Sequence, residues 1–160
     1  MTFPFSITGS FTVAATTPTE KAKYKVLLEL SDWLLENKAS EVFLSAKDVV
    51  FRADLLTSAW ARKMQVVVNS GRISVSSGQN EVTVNYLLMC TDALVLVTVV
   101  VTLISVPLSL YALLHPEDWQ FILFTVAISW LWLFGRNYFV SWLKLRAALR
   151  HVATHAVAAE

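Results

Sequence analysis

The sequence predicts an α+β N-terminal domain, with one helix on a mostly antiparallel sheet, followed by a two-helix transmembrane hairpin with a C-terminal amphipathic helical extension. Three observations predict this architecture. Residues 93–114 carry no charged side chain, residues 119–134 form a second apolar run, and short alternating apolar segments precede both. The expected boundaries are a domain at 1–87, a hairpin at 88–143 with spans at about 91–114 and 119–140, and a helical tail at 144–160.

The domain begins with a predicted strand. Phe3, Phe5 and Ile7 alternate with polar or small residues, and the alternation resumes at Phe11. The pattern predicts a long strand with a bend or tight turn at Gly9.

A helix follows, because Thr17 can cap it, Pro18 suits its first position, and Glu20 can reach back to the cap amide. We expect this helix to run to about Lys38. Its predicted apolar face comprises Tyr24, Leu27, Leu28, Ser31, Leu34 and Leu35.

The rest of the domain alternates at the period of strands. Residues 41–46 and 48–53 predict either two short strands or one strand with a bulge, and residues 55–63 are ambiguous between helix and loop. Further strands are predicted at 64–68, 72–76 and 81–87, with turns at 69–71 and 77–80.

Both apolar runs are compatible with the thickness of a bilayer. The first is about 33 Å long as a helix, whereas the second is about 24 Å long before Gly135, so it spans only if Arg136 snorkels and the helix continues. Aromatic residues near the ends support that reading. The predicted anchors at the two membrane interfaces are Tyr86, Tyr111, Trp119, Arg136, Tyr138 and Trp142.

Basic residues predict the orientation, because Lys and Arg are retained on the cytoplasmic side. Lys144, Arg146 and Arg150 follow the second span, whereas the connector 115–118 contains no Lys or Arg. We therefore expect the connector outside, both termini in the cytoplasm, and a location in a bacterial inner membrane. The same three basic residues are candidate contacts for lipid headgroups, and their helix either lies in the interface or docks on the domain.

Small hydroxyl residues form the most distinctive pattern in the spans. At about 100° per residue, those of the first span fall within a sector of about 60°. The predicted helix-packing residues are Thr98, Thr102, Ser105 and Ser109 of the first span and Thr125, Ser129 and Trp132 of the second. They would pack within the hairpin, against another subunit, or around a hydroxyl-lined pore.

Catalytic and metal-binding constellations are not apparent in the sequence. His151 and His155 lie one turn apart without a third ligand nearby, and Cys90 has no histidine beside it in the sequence. The four glycines do not form a nucleotide loop, and residues 1–85 balance nine basic against eight acidic side chains, which argues against nucleic acid as a partner. No cofactor is readable, although a bound lipid, pigment or quinone needs no sequence motif.

One resemblance supports the predicted topology. The predicted order is a strand, a helix, a Trp-containing segment, the strand Gly71–Val75, and then Val82–Leu87 running into a two-helix hairpin. This order resembles that of a group of uncharacterised small bacterial membrane proteins. The resemblance covers most of the chain and implies an N-terminal α+β domain before a transmembrane hairpin. It implies no activity and no role for any residue.

Three functions are consistent with these patterns. The leading hypothesis is a non-enzymatic accessory or assembly subunit that packs through its hairpin in a larger membrane protein complex. The second is a homo-oligomeric pore or membrane sensor gated by the cytoplasmic domain. The third is an enzyme acting on lipid at the membrane surface, with Asp48, Asp54 or Asp92 as candidate acids.

Overall fold

The computed structural model describes residues 6–15, 19–53, 68–115 and 119–158 of the chain. Five strands and three helices lie within these residues. The strands are β1 (Ser6–Ala14), β2 (Glu41–Leu44), β3 (Asp48–Arg52), β4 (Ser70–Ser77) and β5 (Glu81–Met89), and the helices are α1 (Thr19–Glu36), α2 (Thr91–Leu114) and α3 (Trp119–Ala158).

The strands form one sheet in the order β1-β5-β4-β3-β2, and each neighbouring pair is antiparallel. Alternate residues such as Val49, Ile73 and Val84 point to the face covered by helices and are fully buried. These findings confirm the predicted α+β domain with an antiparallel sheet. β2 and β3 are two strands joined by a tight turn, in which Ser45 N donates to Asp48 O at 2.8 Å, and not one bulged strand.

Two glycines predicted to lie in turns are instead inside strands. β1 pairs with β5 without interruption from Ser6 to Ala14, so there is no turn at Gly9. A Cβ atom at Gly9 would lie 2.2 Å from Tyr86 Oη, and one at Gly71 would lie 2.7 Å from side-chain atoms of Phe51 and Leu88. Both glycines leave room for a large side chain of a neighbouring strand. The turn at 77–80 is present, and most of the strand predicted at 64–68 lies outside the described residues.

The buried face of α1 differs from the predicted one. Tyr24, Leu28 and Leu35 are exposed. The buried residues are Ala22, Val26, Leu27, Leu30, Ser31 and Leu34, a face rotated by roughly a quarter turn. The reason is that α1 packs against both the sheet and the end of α3, so two neighbours determine which side is covered.

The ends of α1 are fixed by specific contacts. Ser77 donates to the carboxylate of Glu20, and this hydrogen bond, together with nearby Lys23, holds the pKa of Glu20 below its usual value. At the other end Lys38 has a φ of 69°, and Ala39 N donates to Leu34 O. This arrangement closes the helix in the manner of a Schellman motif.

α3 is continuous across the boundary predicted at residue 143. Its C-terminal part docks on α1, where Leu145, Leu149 and Ala153 are buried in the same core as the sheet. Of the two arrangements left open for the tail, the structure therefore has the docked one. The domain core is built from the sheet, α1 and residues 145–157 of α3.

Candidate functional site on the helical hairpin

α2 and α3 are long and apolar enough to cross a membrane by length and composition. In α2, only 6 % of the residues in the apolar window Leu94–Tyr111 are buried. Leu103 and Phe121 expose 68 % and 72 % of their surface. Such a continuous apolar surface is typical of contact with lipid or with another protein.

The two helices meet along a narrow line. Val101 of α2 and Ile122 of α3 are buried there, at 7 % exposure each. Nearby, Trp130 Nε1 donates to Thr98 Oγ1 at 3.2 Å, which joins the helices through side chains. Because the helices are antiparallel, each step from Thr98 toward the start of α2 matches one step from Trp130 toward the end of α3.

The predicted hydroxyl residues of α2, which we call the hydroxyl stripe (Thr98, Thr102, Ser105 and Ser109), lie beside this line. Thr102 donates to Thr98 O, Ser105 to Thr102 O and Ser109 to Ser105 O, each at 2.8 Å. Their hydroxyls are thus satisfied within the helix. Thr102 and Ser109 remain exposed.

A groove opens on the other face of the hairpin. We call it the hairpin groove; its volume is about 320 Å³, and Val101, Ile104, Leu108, Thr125, Ser129 and Trp132 contribute to its lining. The predicted packing residues of α3 therefore lie together here. Thr125 donates to Phe121 O at 2.8 Å, so its hydroxyl is occupied within the helix.

The groove and the hydroxyl stripe face opposite sides of the hairpin. Val101 and Ile122 mark the line of contact between the helices. At about 100° per residue, Ile104 of the groove lies on one side of Val101 around α2, and the middle of the stripe lies on the other. Around α3, Trp132 of the groove lies on one side of Ile122, and Trp130, which contacts the stripe, lies on the other. The two predicted sets of hydroxyl residues therefore do not face each other, because the helices meet between them.

An aromatic ladder connects the hairpin to the domain. The rings of Trp130 and Phe134 are 5.3 Å apart, and those of Phe134 and Tyr138 are 5.9 Å apart. Tyr138 Oη then donates to Ser6 O of β1 at 3.0 Å. The ladder was not predicted from the sequence, although aromatic residues at intervals of four are a signal for such a row.

The predicted interface anchors lie in different environments. Tyr86 is a core residue of the sheet with 4 % exposure, not an anchor, because its ring lies over Gly9. Tyr111 and Trp119 are exposed at the connector end of the hairpin. Trp142 is partly buried against the core.

The basic residues of α3 extend from the hairpin to the domain. Arg136, Lys144, Arg146 and Arg150 are exposed, and the guanidinium of Arg146 lies 5.7 Å from the centre of the Trp142 ring. Residues 119–158 contain no Asp or Glu. This helix therefore carries only positive charge.

The two candidate acids within the described residues lie in separate environments. Asp48 is paired with Arg72 across the sheet, and Asp92 is exposed in the first turn of α2. Asp54 lies outside the described residues. Within the described ranges, no group of three or more His, Cys, Asp or Glu side chains could hold a metal ion.

Cys90 and the two tail histidines also have structural environments. Cys90 is fully buried at the junction of β5 and α2, and desolvation raises the pKa of its thiol to about 11. His151 and His155 are exposed, with their rings stacked 6.5 Å apart. A groove between α1 and α3 places both histidines near Glu29, Asp32 and Glu36.

Comparison of the chain with protein-family models, with curated proteins and with solved structures finds no match.

Proposed function

We propose that the protein is an integral membrane accessory subunit whose hairpin packs in a larger membrane protein complex and whose α+β domain is held at the cytoplasmic surface. The observation that carries the proposal is that α3 belongs both to the hairpin and to the core of the domain. Its first half exposes apolar residues such as Leu131, whereas Leu145 and Leu149 of the same helix are buried in the domain core. A helix shared in this way fixes the domain relative to the hairpin.

The orientation follows from the positive charge of α3. Lys144, Arg146 and Arg150 follow its apolar part and would lie on the cytoplasmic side of a bacterial inner membrane. The connector 115–118 would lie outside. The domain and the C-terminus would then share the cytoplasmic side.

The hydroxyl stripe is the proposed contact with partner helices. Its small side chains allow close approach of a second helix, and Thr102 and Ser109 lie on a face that the hairpin itself does not cover. The aromatic ladder would keep this face and the domain in one fixed relation, because it runs from Thr98 to Ser6.

The test is native mass spectrometry after gentle extraction from the native membrane. We expect the chain to carry partner subunits, and we expect Thr102→Leu combined with Ser109→Leu to release them. Leu103→Phe, an enlargement on a neighbouring exposed face of α2, is the matched control and should retain them. A lone monomer from unmutated protein would contradict the proposal.

A further inference from the structure

We propose that the hairpin groove binds one acyl chain of an anionic phospholipid from the cytoplasmic leaflet, with its phosphate held by Arg136. The inference rests on the proposed function in one respect, namely that the hairpin crosses a bilayer.

The shape and chemistry of the groove suit an acyl chain. Its volume of about 320 Å³ falls at the lower end of the range for small-molecule sites. Val101, Ile104 and Leu108 form the α2 wall, and the Thr125 hydroxyl is occupied by Phe121 O. The groove therefore offers mainly methyl and methylene groups, with Ser129 and the indole of Trp132 as polar exceptions.

The α3 residues of the groove also lie within about one leaflet of Arg136. Arg136 is ten residues after Val126, another residue of the groove lining, which is about 15 Å along a helix. Half of a hydrocarbon core of about 30 Å is the same distance. A lipid with its phosphate level with Arg136 would therefore extend its chain past Trp132 and Ser129 toward Thr125.

Charge at the mouth of the groove selects an anionic headgroup. Arg136 follows Trp132 by one helical turn on the same face of α3, and its guanidinium matches a phosphate in bidentate geometry. Asp92 lies at the same level of the hairpin as Arg136, because Thr98 contacts Trp130 and each residue is six positions away from its member of that pair. The carboxylate of Asp92 does not face the phosphate, because Asp92 lies about 180° around α2 from Val101, which lines the groove.

The test uses the full chain in nanodiscs of equimolar phosphatidylglycerol and phosphatidylcholine, released for native mass spectrometry. We expect one retained lipid per chain, with phosphatidylglycerol preferred about fivefold. Both lipids offer a phosphate to Arg136, but the choline ammonium of phosphatidylcholine opposes the guanidinium, and the difference is the size of one solvent-exposed charge interaction. Arg136→Gln should abolish the preference for phosphatidylglycerol. Ser129→Leu, which fills the groove, should lower lipid retention at least tenfold.

Two variants provide matched controls. Ala127→Leu introduces the same leucine on an exposed side of α3 about 160° from Ser129 and should leave retention unchanged. Arg150→Gln removes an equal charge about 21 Å further along α3 and should leave the lipid preference unchanged. Far-UV circular dichroism checks that each variant is folded.

The outcomes separate this inference from the proposed function. A chain that enters nanodiscs but retains no lipid, or loses lipid equally with Ser129→Leu and Ala127→Leu, would overturn the inference alone. A dimer mass that disappears with Ser129→Leu would assign the groove to a second copy and would also overturn it. A chain that does not enter nanodiscs would overturn both.

Discussion

The two halves of α3 are both rich in apolar residues but have opposite surroundings. Leu149 and Ala153 are fully buried against the domain, whereas Leu131 and Trp132 expose 63 % and 66 % of their surface. One helix thus supplies a protein core at one end and an uncovered apolar surface at the other. Burial therefore depends on which elements lie beside the helix rather than on its own composition.

Truncating the buried half should have the largest effect. We expect Leu149→Ala to lower the free energy of unfolding of the domain by about 2–5 kcal/mol, because it leaves a cavity where α3 meets the core. The measurement is urea denaturation in detergent micelles, in which the extent of Cys90 alkylation reports the unfolded fraction. This residue is the only cysteine of the chain and is fully buried in the folded domain.

The matched control removes the same atoms from the exposed half. Leu131→Ala should change the free energy of unfolding by less than about 0.5 kcal/mol in the same assay, since Leu131 has little protein around it. Equal losses for the two variants would mean that the exposed half is covered by protein in the micelle. The contrast between the halves would then disappear.

Local sequence signals predicted much of the fold. The turn at 77–80, the alternation in β5 and the two apolar runs could be read because each depends on neighbouring residues. The face of α1 could not, because contact with α3 rotates the buried side away from Tyr24 and Leu28. Propensity and period do not encode a neighbour that is more than 100 residues away.

The candidate site was predictable in part for the same reason. Periodicity grouped Thr125, Ser129 and Trp132 on one face of α3, and they do line one groove. The relation of that face to the hydroxyl stripe depends on how α2 and α3 rotate against each other. A single contact, Trp130 to Thr98, reveals that rotation, and no local pattern specifies it.

Gly71, which the sequence predicts in a turn, lies inside β4 against two large side chains. A Cβ atom at Gly71 would lie 2.7 Å from side chains of both Phe51 and Leu88. We therefore expect Gly71→Ala to lower the free energy of unfolding by about 1–3 kcal/mol through overpacking. The same alkylation assay measures it. An unchanged urea midpoint would contradict the prediction and would show that Phe51 and Leu88 can move aside to make room for a methyl group at position 71.

The smallest expected effect has the opposite sign and lies where the two halves of α3 join. A Cβ atom at Gly135 would meet none of the described residues within 4 Å, so packing does not require glycine there. Gly135→Ala should then raise the free energy of unfolding by about 0.5–1 kcal/mol, because alanine loses less backbone entropy in a helix. Denaturation followed by circular dichroism in micelles measures the gain. If Gly135→Ala lowers stability only in the native complex, a partner helix approaches α3 at this position. The exposed half of α3 would then be in contact with protein there.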